Sequence, residues 1–115
     1  MCGICGIVDF EPGRPIAPEL VNRMRDTMIN RGPDDADTKI LPHAALAHRR
    51  LSIIDLSPRG RQPMSNEDGS VWLVFNGEIY NFESLRDELA AAGHRFSSDS
   101  DSDVLVHGYE EWGIH

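Results

Sequence analysis

The amino-acid sequence predicts one domain of mixed α and β structure, and three observations predict it. A length of 115 residues suits one domain and leaves no room for two. The hydrophobic periodicity runs strand, helix, several short strands, helix, helix. Neither usual glycine-rich phosphate loop is present, and the many short strands disfavour a doubly wound nucleotide fold.

Each element follows from local chemistry. Ile4, Ile7, Val8 and Phe10 form the first apolar run. They read as a buried strand, with Gly3 and Gly6 permitting close backbone approach. Residues 11–15 are a turn rich in glycine and proline. Residues 18–30 read as a helix. Pro18 suits its first turn, and Leu20, Val21, Met24 and Met28 recur on one apolar face, the methionines as core filler. Arg31, Gly32, Pro33 and Asp34 break it. Two short strands, over 38–41 and 44–48, flank Pro42, and Ile53 and Ile54 read as buried.

Residues 57–68 form a polar segment whose length marks a functional or wrapping loop, and Asp68-Gly69 is a turn signal. Residues 71–75, rich in valine, tryptophan and phenylalanine, are the clearest strand. It is expected to be central, and to end at Asn76 close to the strand behind Cys2. Asn81 is placed to cap a helix over 82–92, with Leu85 and Leu89 one turn apart and Gly93 ending it. A last helix covers residues 103–112, with Leu105, Tyr109 and Trp112 on one face and Ser100, Asp101 or Ser102 as its cap.

Composition excludes some functions. The net charge is -8, from 19 acidic and 11 basic residues, which argues against a nucleic-acid binder. Arg49, Arg50, Arg59 and Arg61 cluster, as a solvated face or a small-anion site. Two cysteines are too few for a disulfide-stapled secreted domain. Residues 1–10 lack the basic region of a signal peptide, and no stretch is long enough to span a bilayer. The expected compartment is the cytoplasm, with no membrane partner.

Cys2 directly follows Met1. Removal of Met1 would give one residue both a thiol and a free α-amine. The amine titrates near about 7.7–8.0 and can serve as a base near neutral pH. Cys2 and Cys5 also form a Cys-x-x-Cys pair, but a redox dithiol usually opens a helix, and here the flanks are glycine and β-formers. A zinc site needs more ligands, and the five histidines are scattered in sequence, so no metal site is assigned. Asn76-Gly77 reads either as a hairpin turn or as an oxyanion hole. Arg50 and Asp101 offer opposite charges for the carboxylate and ammonium of an amino acid, a pairing that any acidic protein supplies in number.

The pattern becomes specific when its parts are taken together. Met1-Cys2-Gly3-Ile4, Arg31-Gly32-Pro33-Asp34, the block from Ala47 through Arg50 to Asp55, Gln62-Pro63, the run from Phe75 to Asn81, and Ser100-Asp101 follow in order along the chain. Together they closely resemble the N-terminal glutaminase domain of glutamine-hydrolysing asparagine synthetases. These are class II (N-terminal nucleophile) glutamine amidotransferases. The resemblance implies an α+β fold, a four-layer αββα sandwich of the N-terminal nucleophile hydrolase type. It implies Cys2 as nucleophile and, through its α-amine, its own general base. Asn76 and Gly77 would form the oxyanion hole. Arg50 would bind the glutamine α-carboxylate, and Glu78 and Asp101 the α-amino group. Leu51, Ser52, Ile53 and Ile54 would line the glutamine pocket with backbone groups.

The implied reaction is hydrolysis of L-glutamine, with ammonia passed to a C-terminal synthetase domain, in cis or in trans, that uses ATP and Mg²⁺ on aspartate. No cofactor is implied for this chain, and a homodimer is a further expectation. The Leu51-Ser52-Ile53-Ile54-Asp55 block favours the asparagine synthetase branch over the sugar-phosphate and phosphoribosyl amidotransferases. Cys5, Asn30 and Asp103 depart from the family pattern, and none touches the implied mechanism. The family domain continues past His115, so residues 1–115 are expected to be its N-terminal part, truncated at the C-terminus, with the synthetase domain absent. A non-catalytic module and a Cys-x-x-Cys redox or zinc protein remain the alternatives.

Overall fold

A computed structural model describes residues 2–51 and 58–114. The apolar run behind Cys2 forms strand β1 (Gly3–Val8), followed by helix α1 (Pro18–Asp26), strands β2 (Asp35–Ile40) and β3 (Ala44–Arg50), and a 3-10 turn at Pro58–Gly60. Short strands β4 (Met64–Ser65) and β5 (Trp72–Leu73) come next, then helices α2 (Phe82–Ala91) and α3 (Ser102–Trp112). β1, β3 and β2 make one antiparallel sheet in that order, and β4 and β5 make a second. α1 covers the first sheet, while α2 packs on α3 and α3 lies on the second. Two sheets flanked by helices are the arrangement of an αββα sandwich. Among the described residues no helix is long and apolar enough to cross a membrane.

The period-2 alternation of β3 divides the first sheet into two faces with different tasks. Ala45 and Ala47 are fully buried with Ile16 and Val21, and Cys5 and Ile7 of β1 pack against them. Cys5 stands opposite Ala47, and Ile7 opposite Ala45. The alanines leave room for α1, whose Val21 is its buried residue. Leu20 was expected in that face but is 43% exposed. At 100° per residue, a helix that aims Val21 at the sheet turns Leu20 aside. Regular helix also ends at Asp26, with turns over 27–31 in place of the expected continuation to residue 30.

The turn after α1 lies directly on β3. A Cβ on Gly32 would stand 2.3 Å from the Arg49 carbonyl carbon, so only glycine fits. The Arg49 guanidinium, buried at 9% exposure, donates to the Gly32 carbonyl at 2.9 Å and locks this approach.

Residues 71–75 depart most from expectation. Only Trp72 and Leu73 are strand, paired with Ser65 and Met64 at the junction Asp68-Gly69 turns back. The strand belongs to a two-stranded sheet and is not central among the described residues. β-propensity reports only a side chain that suits a half-buried pleated surface; strand length is set by the partner, and β4 is two residues long. Asn76-Gly77 is no hairpin, because the chain runs on into α2. Asn81 occupies the N-cap of α2, but its side chain makes no capping bond, nor does that of Asp101 at α3. At α3 the Ser102 N–H donates instead to the Ser100 hydroxyl at 3.2 Å. Fully buried Asp103 holds the preceding loop by accepting the Ser97 and Ser98 N–H groups, each at 3.0 Å. Gly93, at φ 102, ends α2 as expected.

Candidate active site

Residues distant in sequence meet in one cleft of about 490 Å³. Its lining includes Cys2, Arg50, Leu51, Asn76, Gly77, Glu78 and Asp101. These are all the sequence-assigned site residues except Ser52, Ile53 and Ile54, which lie outside the described residues. The convergence has a simple origin. Cys2 precedes β1, Arg50 ends β3 beside it, Asn76 and Gly77 follow β5, and Asp101 opens α3.

The Cys2 sulfur is held by backbone. It accepts the Leu51 N–H at 3.3 Å, and its S–H lies 3.7 Å from the Leu51 carbonyl. Arg31 donates to the Cys2 carbonyl at 3.3 Å, fixing the residue from its other side. Arg50 is buried at 8% exposure and Asp101 at 5%, so both present charge in a partly desolvated setting. Asp101 Oδ2 accepts the Ile79 N–H at 2.8 Å, which ties the segment after Gly77 to the start of α3. Asn76, Gly77 and Glu78 are exposed at the cleft mouth, and a Cβ on Gly77 would stand 2.7 Å from the Phe75 ring.

Cys5 has a different environment from Cys2. Its side chain packs toward the core under α1, and burial pushes its thiol up, with Arg25 opposing. An odd separation of three residues along an extended chain sends the two thiols to opposite faces. Cys5→Ser is therefore expected to leave any glutaminase rate within about twofold, since a surface-remote isostere shares no partner with the cleft. Steady-state kinetics check this, and a tenfold loss would end the packing role.

Two lining residues escaped sequence reasoning. His48 is buried at 1% exposure, and its Nε2 meets the Phe75 carbonyl at 3.3 Å. Burial lowers its pKa and keeps the imidazole neutral. Gln62, 7% exposed, accepts the Phe75 N–H at 2.6 Å and donates to Ser102 Oγ at 3.1 Å. A lone histidine in a strand and a glutamine before proline carry no local signal of such roles.

The histidines are also less scattered than their sequence positions suggest. Ligating atoms of His94, His107 and Glu110 fall within 4.8 Å of one another. His94 pairs with Glu111 at 2.8 Å and His107 with Glu110 at 2.9 Å, and the two rings stand 5.3 Å apart. These pairs account for the cluster as a tie between the end of α2 and α3.

Comparison with known proteins decides the family. The profile described as the glutamine amidotransferase domain matches residues 1–115. This chain belongs to the glutamine amidotransferase domain family. The amidotransferase domain is similar to asparagine synthetase (glutamine-hydrolyzing) 3 of Bacillus subtilis (strain 168), 43% identical over 114 residues that cover 97% of this chain and 18% of that protein. A second relative is asparagine synthetase (glutamine-hydrolyzing) 1 of the same organism, 42% identical over 114 residues, covering 97% of this chain and 18% of the relative. Asparagine synthetase (glutamine-hydrolyzing) 1 of Arabidopsis thaliana is 40% identical over 118 residues, covering 99% and 19%. The amidotransferase domain thus spans less than a fifth of the length of these relatives.

Proposed function

We propose that the amidotransferase domain hydrolyses L-glutamine to glutamate and ammonia through a thioester on Cys2. The observation that carries this reading is the single cleft lined by Cys2, Asn76, Gly77, Arg50 and Asp101. In this reading Arg50 pairs with the substrate α-carboxylate, while Glu78 and Asp101 receive the α-ammonium. Leu51 adds backbone groups to the pocket. The sulfur attacks the side-chain amide carbon, and the oxyanion is held by the Asn76 side chain and the Gly77 N–H. The α-amine of Cys2 takes the thiol proton and delivers it to the leaving nitrogen. The C–N bond breaks, ammonia departs, and water then displaces the sulfur to release glutamate.

The relatives' names as glutamine-hydrolysing asparagine synthetases, with the resemblance, extend the proposal. The ammonia would serve a synthetase domain, in cis or in trans, that forms asparagine from aspartate with ATP and Mg²⁺ in the cytoplasm. A homodimer fits the same reading. This chain's residues are assigned no metal or cofactor. The domain would be the N-terminal part of a larger enzyme.

Incubation with amide-labelled glutamine tests the core of the proposal. Labelled ammonia and glutamate are expected in equal amounts, and Cys2→Ala is expected to abolish both. Ammonia release that persists in Cys2→Ala would exclude the thioester. Wild-type protein that binds glutamine without cleaving it would favour a non-catalytic module.

A further inference from the structure

The peptide groups of Phe75 are held from both sides by buried side chains of two other segments. Phe75 lies two residues beyond β5, past the ladder that pairs Leu73 with Met64. Its N–H is taken by Gln62 at 2.6 Å, and its carbonyl by His48 Nε2 at 3.3 Å. The carbonyl can only accept, so His48 must carry its proton on Nε2. Gln62 is matched to its place in the same way. Its amide oxygen accepts from Phe75 while its amide nitrogen donates to Ser102, the neighbour of Asp101.

The His48 bond reaches Phe75 from the first sheet, while the Gln62 bond comes from the segment just before β4, beyond the ladder that β4 makes with β5. His48 sits in β3, directly opposite Ile4 of β1. Three residues further along, Leu51 holds the Cys2 sulfur. Phe75 precedes Asn76 and Gly77. The distance between sulfur and the Asn76-Gly77 segment therefore depends on the His48 and Gln62 bonds, because residues 74–77 pair with no strand among those described.

We propose that His48 and Gln62 are positioning residues that clamp the Phe75 peptide groups and so register the oxyanion hole against the Cys2 sulfur. This rests on the glutaminase reading of the cleft. Both line the cleft, and the bonds that define their role run to Phe75 and Ser102. Their effect passes through Asn76 and Gly77, so it falls on transition-state stabilisation and not on glutamine capture.

The test compares apolar near-isosteres with a conservative rescue in the protein. His48→Leu and Gln62→Met are expected to lower kcat for glutamine hydrolysis by about 10- to 100-fold, the scale of a misplaced oxyanion donor, with KM within about threefold. His48→Gln, which returns a donor near Nε2, is expected to recover most of the rate. Alkylation of Cys2 by iodoacetamide, which needs no oxyanion hole, should proceed at the wild-type rate in all variants. Asn76→Ala combined with Gln62→Met should be no slower than Asn76→Ala alone, since both remove one function. Unchanged kcat, additive losses or an equal loss of alkylation would overturn the clamp.

Failure of the glutaminase reading looks different: wild-type protein itself would release no ammonia. The clamp is then judged by nitrogen NMR. Its Nε2–H tautomer at His48 and a slowly exchanging Phe75 N–H, made fast by Gln62→Met, are expected. An Nδ1–H tautomer or a fast wild-type amide would overturn it.

Discussion

Protein that retains Met1 is expected to hydrolyse glutamine about 10²–10⁴-fold more slowly than protein that begins at Cys2, the range a general base supplies. With Met1 attached, the Cys2 nitrogen is an amide with no basic lone pair near neutral pH. A thiol of ordinary pKa, about 8.5, is then only a few per cent ionised and has no partner to take its proton. The Leu51 N–H at the sulfur is a donor and cannot accept a proton. An N-terminal extension that a protease removes to leave Cys2 isolates the effect. Activity should appear on cleavage, in step with the mass of the processed chain. Full activity before cleavage would show that some other base serves the thiol.

Arg50→Ala is expected to lower kcat/KM for glutamine by about 30- to 5,000-fold, corresponding to about 2–5 kcal/mol for truncating one member of a buried charge pair. The site assigned to Arg50 is desolvated, so the substrate carboxylate would enter without a cationic partner and without water to replace it. Asp101→Asn is expected to act in the same direction. Asparagine keeps an oxygen for the Ile79 N–H, so the loop bond survives and the loss reports the missing charge. Steady-state kinetics with a thermal melt on each variant separate capture from folding. An unchanged kcat/KM in folded Arg50→Ala would remove Arg50 from substrate binding.

The candidate site was partly legible before the fold was known. Local chemistry marked Cys2, Arg50, Asn76, Gly77 and Asp101 only as candidates among alternatives, and the order of motifs along the chain singled them out. The resemblance added Glu78 and Leu51. His48 and Gln62 were not legible, since their importance lies in a shared partner, Phe75, 27 and 13 residues away. The meeting of His94 and His107 was not legible for the same reason, since it arises only when α3 folds back on α2.

Local chemistry located five elements of this chain. β1, α1, β3, α2 and α3 follow from apolar spacing and from breakers such as Arg31-Gly32-Pro33-Asp34 and Gly93, which act within a turn or two of themselves. β2 was read over 38–41 and lies at Asp35–Ile40, because its extent is set by pairing with β3. Tertiary structure alone decided the length and partner of β5, the outward turn of Leu20, and the hold of His48 and Gln62 on Phe75. Each of these depends on which surfaces are buried against each other. Burial and strand pairing join residues by space and not by sequence, so no local window contains them.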